Sequence, residues 1–196
     1  MKEWKKVKLG EVITLKYGKD HKKLDNGSYP IYGSGGIMRY SNSYIYDQPS
    51  ILIPRKGSLN NIMFTDKPFW TVDTMFWSII NESVVLPRFL YYTLFKYDFA
   101  SLNVGSAVPS LTVPVIENIE IIIPSIDKQK QILSTLIPLD DKIALNTRIN
   151  DNLIFFSSLF IFKSFAIQSV TIIYFERRKI REQFIEKENT QYNLAA

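Results

Sequence analysis

Hydrophobic and polar positions follow two different patterns on either side of Pro124. Up to that residue, short runs rich in β-branched and aromatic side chains are broken by Gly, Pro, Asn and Asp. "YIYDQPSILIP", "NNIMFTD", "FWTVDTMFWSII" and "IENIEIIIP" each read as strands bounded by turns. One segment, "PRFLYYTLFKYDFASL", has helical spacing instead. Pro87 suits its first turn, and Leu90, Leu94, Tyr97 and Leu102 can share a face. All eight glycines lie at or before Gly105. The first part is expected to be mostly β with one or more helices.

After Pro124 the period lengthens. "SIDKQKQILSTLIPLDDKIALNTRINDNL" contains no glycine, and Ile132, Leu136, Leu139 and Ile143 recur at alternating steps of four and three residues. That is the seam of a helix that packs on another helix. Asn146 keeps the register as a polar seam residue, and Ile149 and Leu153 extend the apolar side. Ser125 is placed to cap the helix, and Asp127 favours the dipole of its first turn. Pro138 removes one backbone hydrogen bond inside the seam and is expected to kink it. A helix folded back on its own domain is the alternative reading. The whole is α+β: a mostly-β domain over residues 1–124, a long helix over 125–165 for coiled-coil pairing, and a divergent helical or disordered tail over 166–196.

Residues 153–175 are long and apolar enough to raise a membrane span. Lys163 near the centre, four serines and Gln168 argue against one, since a lysine at mid-bilayer costs roughly 3 kcal/mol on insertion scales. The start, "MKEWKKVKLGEV", has no apolar signal core, and there is no cysteine. A cytoplasmic protein is expected, with a membrane association unlike it. At 196 residues and 46% hydrophobic, the chain can build a core of its own.

The formal net charge is +5, and the excess sits early. Lys2, Lys5, Lys6, Lys8, Lys16, Lys19, Lys22 and Lys23 face only Glu3, Glu11 and Asp20. Such a bias suits an anionic partner such as nucleic acid, though it also suits a solvated surface. Catalytic constellations are missing. His21 is the one histidine and there is no cysteine, which argues against a zinc site and rules out a Cys/His pair. "GSGGIM" has neither the G-x-G-x-x-G spacing nor the Gly-Lys-Ser/Thr ending of a phosphate loop. No catalytic residue, metal or cofactor is expected: the sequence supports binding rather than turnover.

Five stretches in order resemble a known family. "WKKVKLGEVITLKYGK", "YPIYGSGGIMRYSN", "ILIPRKGSLNNIMF", "PFWTVDTMFW" and "GSAVPSLTVPVIENIEIIIP" are similar to the target recognition domain of type I restriction-modification specificity subunits. "DKQKQILSTLIPLDDKIALNTRIN" is similar to the helix that follows it, with Gln129, Ile132, Leu136, Leu139, Asp140 and Ile143 on the pattern. The glutamate usual before the helical glutamine is Lys128 here, and from about Ala166 the similarity stops.

The resemblance implies a half-length subunit that binds one half of a split double-stranded DNA site. Methyltransferase and restriction subunits would be its partners and would supply catalysis. A homodimer, or pairing with another half-subunit, would form through the helix at Ile132, Leu136, Leu139, Ile143, Ile149 and Leu153. A stand-alone DNA-binding protein and a truncated or recombination-donor cassette are the alternatives. For DNA contact the turns supply Gly33, Ser34, Gly36, Arg39, Arg55, Lys56 and Ser58, and a later loop supplies Ser106, Ser110 and Thr112. Arg39 and Arg55 suit base edges, and Lys56 suits phosphate. Phe69, Trp70 and Trp77 are assigned to the core rather than to base stacking.

Overall fold

The computed structural model describes residues 4–105 and 108–157, together with Lys179. Apart from Lys179, the expected tail lies outside these residues, as does most of the candidate membrane span. Among the described residues no helix is long and apolar enough to cross a membrane.

Among the described residues nine strands form three sheets. The strands are β1 (Lys5–Lys8), β2 (Ile13–Tyr17), β3 (Tyr29–Gly33), β4 (Gly36–Ser41), β5 (Ser50–Pro54), β6 (Met63–Thr65), β7 (Trp70–Thr71), β8 (Met75–Ile80) and β9 (Glu120–Ile123). The central sheet runs β2-β8-β5-β6, a second runs β4-β3-β7, and β1 pairs with β9. The helices are α1 (Pro87–Leu94), α2 (Val113–Glu117) and α3 (Ile126–Ser157). This is an α+β architecture.

Burial follows the sequence pattern in the central sheet. β5, "SILIP", is buried along its whole length between β8 and β6, as a continuous apolar run should be. Its one hydroxyl is matched: Ser50 Oγ donates to the Ser78 carbonyl at 2.7 Å, and Ser78 Oγ accepts from the N–H of Ile51 at 2.9 Å. The core between the sheets gathers Ile31, Leu52, Phe69, Val72, Met75 and Trp77. Phe69 meets Trp77 edge-on with centroids 6.3 Å apart. Trp77 is core, with its indole N–H bonded to the carbonyl of Tyr17 at 3.1 Å. Trp70 is only half-buried, but its indole N–H is fixed to the carbonyl of Lys19 at 3.0 Å.

The helix expected from Pro87 to Leu102 is shorter than its apolar spacing suggested. α1 ends at Leu94, and a separate 3-10 turn covers Phe99–Leu102. Asp98 is the reason: its carboxylate caps that turn by accepting from the N–H of Ala100, and it also accepts from the amide of Asn60 at 2.9 Å. A side chain that offers the backbone a local acceptor stops a helix as well as starting one.

β1 and β9 pair from Lys5↔Ile123 to Lys8↔Glu120, so the beginning of the chain closes on the strand just before α3. The change of pattern at Pro124 falls between the end of β9 and the start of α3. The chain divides into two compact units, Met1–Leu133 and Ser134–Ala196, the first taking in the opening turns of α3. Those turns bury Gln129, Ile132 and Leu133. Ile132, expected in a helix seam toward a partner, is therefore part of the chain's own core. In the second unit α3 continues through Pro138 without interruption. Leu136 and Ile143 are half-buried there, while Leu139, Leu145 and Ile149 are exposed.

Candidate nucleic-acid interface

Three loops that lie far apart in sequence are tied into one surface. The first is the β3–β4 turn, where Gly33 pairs with Gly36 across Ser34 and Gly35. The second follows β5 and holds Arg55, Lys56, Gly57 and Ser58. The third runs from Asn103 to Thr112. Asn61 donates its side-chain amide to the Ser34 carbonyl at 2.8 Å, joining the first two. The N–H of Leu111 donates to the Arg55 carbonyl at 2.9 Å, and Lys56 forms a bridge with Ser110, joining the second to the third. Gly57 has φ +86°, and a Cβ there would stand 2.8 Å from Ser34 Oγ. Any larger residue would strain the backbone and displace the Ser34 hydroxyl.

The third loop is organised by Asn103, which the sequence did not single out. Its Oδ1 accepts from the N–H of Gly105 at 2.8 Å and of Ser110 at 2.7 Å, and its amide donates to the Gly105 carbonyl. One side chain thus ties Gly105 to Ser110. Ser106, expected to contact DNA, lies outside the described residues. Thr112 precedes α2 and its side chain makes no capping hydrogen bond, leaving an exposed hydroxyl beside Ser110 and Leu111.

The two arginines differ. Arg39, on β4, donates to the carbonyls of His21 and Leu24, the latter at 3.1 Å, to His21 Nδ1 at 3.3 Å and to Asn26 Oδ1 at 3.4 Å. Its guanidinium is engaged in holding residues 21–26, not projecting from the turn as the sequence reading had it. The sequence showed a charge beside a glycine turn, and no local pattern announces an acceptor 15 to 18 residues upstream. Arg55 is anchored at one point only, Nε to the Asp73 carbonyl at 3.1 Å, with its guanidinium 5.8 Å from the Tyr17 ring centre. Its terminal nitrogens, the pair that forks onto a guanine edge, make no hydrogen bond among the described residues.

Exposed cations and an aromatic ring accompany this surface, together with the exposed Asp73. Lys16, Lys19, Lys22, Lys23 and Lys56 are exposed, and Tyr17 is 57% exposed beside Arg55. Asp20 also lies here; the N–H of Lys22 donates to its carboxylate at 3.0 Å and holds its pKa below the usual carboxylate value. An open groove runs between the hairpin tip and the β7–β8 turn, lined by His21, Gly33 to Met38, and Val72 to Thr74.

The family described as "Type I restriction modification DNA specificity domain" matches residues 1–153. The chain belongs to that family. Among curated relatives, it is 25% identical over 183 residues to the type I restriction enzyme HindI specificity subunit of Haemophilus influenzae. It is 29% identical over 139 residues to the EcoDI specificity subunit of Escherichia coli. These alignments cover 78% and 68% of this chain but only 39% and 30% of the relatives, so the chain spans well under half of their length. Two solved structures share the specificity-subunit fold. The S subunit of a type I restriction-modification system from M. genitalium has a TM-score of 0.66 at 19% identity, over 77% of this chain and 43% of that one. The HsdS subunit from Thermoanaerobacter tengcongensis gives 0.54 at 16%, over 74% and 39%.

Proposed function

We propose that this chain is a DNA sequence-recognition module that binds one half of a bipartite duplex target and docks methyltransferase subunits, in which the methyl-transfer chemistry resides. DNA cleavage would likewise belong to a restriction subunit. The observation that carries the reading is the joining of the Ser34, Arg55–Lys56 and Ser110 loops into one basic surface on a rigid β scaffold. Such a surface suits a duplex: lysine meets phosphate anywhere along the backbone, whereas a fork of two N–H donors reads a base edge. Recognition of both halves of a split site requires two such modules. The exposed Leu139, Leu145 and Ile149 on α3 support pairing of two copies through that helix.

The test is selection from randomised duplexes by the chain copurified with the methyltransferase subunit. Two like modules on a two-fold pair should enrich a gapped palindrome, with inverted copies of one half-site. Absence of any enriched sequence would contradict the reading.

A further inference from the structure

Two neighbouring large apolar side chains stand in water at the tip of the β3–β4 hairpin. Ile37 is 50% and Met38 59% exposed. In a regular strand, consecutive residues point to opposite faces, and one of the two would be covered. Here the register jumps from Ile31↔Arg39 to Tyr32↔Ile37, which leaves Met38 as the unpaired residue of a β-bulge. A bulge re-aims the side chains around it and is a recurrent device next to functional sites. Met38 is also seated. A Cβ on Gly33 would stand 2.6 Å from the Met38 sulfur and 3.1 Å from its Cγ, so the thioether lies over bare glycine backbone.

The groove beside this apolar tip has one charged lining residue, the acid Asp73, and its cations come from neighbouring positions: Arg55, Lys22 next to His21, and Lys56 next to Gly57. The groove is lined by Ile37 and Met38 on one side and by Asp73 and Thr74 on the other, and Arg55 is anchored on the Asp73 carbonyl. The exposed Lys22, Lys23 and Lys56 favour a polyanion over an apolar protein surface. Isoleucine and methionine have nothing to offer phosphate. In the major groove, duplex DNA presents one apolar group, the 5-methyl of thymine.

We propose that Ile37 and Met38 contact a thymine 5-methyl group in the major groove, making one A·T pair of the half-site a position read by its methyl. The inference rests on the DNA reading above. The experiment uses the full chain with the methyltransferase subunit on the selected duplex, with each thymine replaced in turn by uracil, which lacks only that methyl. One replacement in the half-site should weaken binding about three- to fivefold, the factor that burial of a single methyl yields. Met38→Ala combined with Ile37→Ala should bind the thymine and uracil duplexes alike while keeping the parent's preference at other positions. Met38→Leu, which keeps the tip apolar, should retain the methyl dependence. If the parent tolerates uracil at every position of a sequence it otherwise selects, or if the double variant keeps the methyl dependence, the assignment is wrong although the DNA reading stands. If the parent selects no sequence, it is the DNA reading that fails.

Discussion

The side-chain carbonyl of Gln129 accepts a hydrogen bond from the backbone N–H of Leu86 at 2.7 Å. The same amide donates to the carbonyls of Val84 at 3.1 Å and Pro124 at 2.9 Å, and Gln129 is completely buried. One side chain therefore pins the first turn of α3 to the segment that leads into α1. Gln129→Ala would leave these three backbone groups without their partner and should cost about 2–3 kcal/mol, read as a lower urea midpoint.

Gln129→Glu separates the donor from the acceptor role. A carboxylate can still accept from Leu86 but meets the Val84 and Pro124 carbonyls without a proton. Its folded pKa is then raised above the unfolded value of about 4.3. The stability of this variant relative to the parent should be best below that value and lost as pH rises through the folded pKa. Urea midpoints of both proteins, measured side by side from acid to neutral pH, check the sign.

Arg39 is expected to hold a loop rather than a base. Arg39→Ala frees the carbonyls of His21 and Leu24, so cleavage by trypsin after Lys22 and Lys23 should accelerate. The sequence preference in a binding selection should survive. If the preference at one base pair is lost while trypsin cleavage is unchanged, Arg39 is a reader after all.

Arg55 and Lys56 should separate along different lines. Arg55→Ala should cost roughly 1–3 kcal/mol on the preferred site and flatten discrimination at one position. Lys56→Ala should weaken all sequences about equally and reduce the salt slope by about one unit. Titrations at several salt concentrations on preferred and scrambled duplexes measure both effects.

The seam of α3 is expected to begin at Leu136, since Ile132 is buried within the first unit. Leu136→Asp with Ile143→Asp should turn a dimer into monomers in sedimentation, because carboxylates buried without partners cost several kcal/mol. Leu139 and Ile149 lie on the same exposed run and should add to the effect when changed. A parent chain that sediments as a monomer in the presence of a type I methyltransferase subunit would refute pairing through this helix.

The sequence made the order of the elements legible because each is encoded locally. The fully apolar "SILIP" became a strand buried along its whole length, and the glycine-free stretch after Pro124 became one long helix. Gly57 marked a turn that does require positive φ. What escaped was encoded by distance. Arg39 finds its acceptors across a hairpin, Asp98 ends the helix at Leu94 with help from Asn60, and Asn103 folds a loop whose members span several residues. The β-bulge at Met38 escaped for the same reason: register is a property of two strands, and the apolar pair at the tip read as ordinary strand residues. Ile132 fits a helix seam and a domain core equally well by spacing, and only the neighbouring burial of Gln129 and Leu133 separates the two.

The proposed role is tested most directly by whether this chain sets the sequence at which a type I methyltransferase acts. Genomic DNA from cells that express the chain with a type I methyltransferase subunit can be mapped for methylated bases, against cells that express the methyltransferase alone. The account predicts a bipartite motif of two inverted half-sites that appears only with the chain, and whose half-sites change at one position with Arg55→Ala. A methylation pattern that is the same with and without the chain would contradict it.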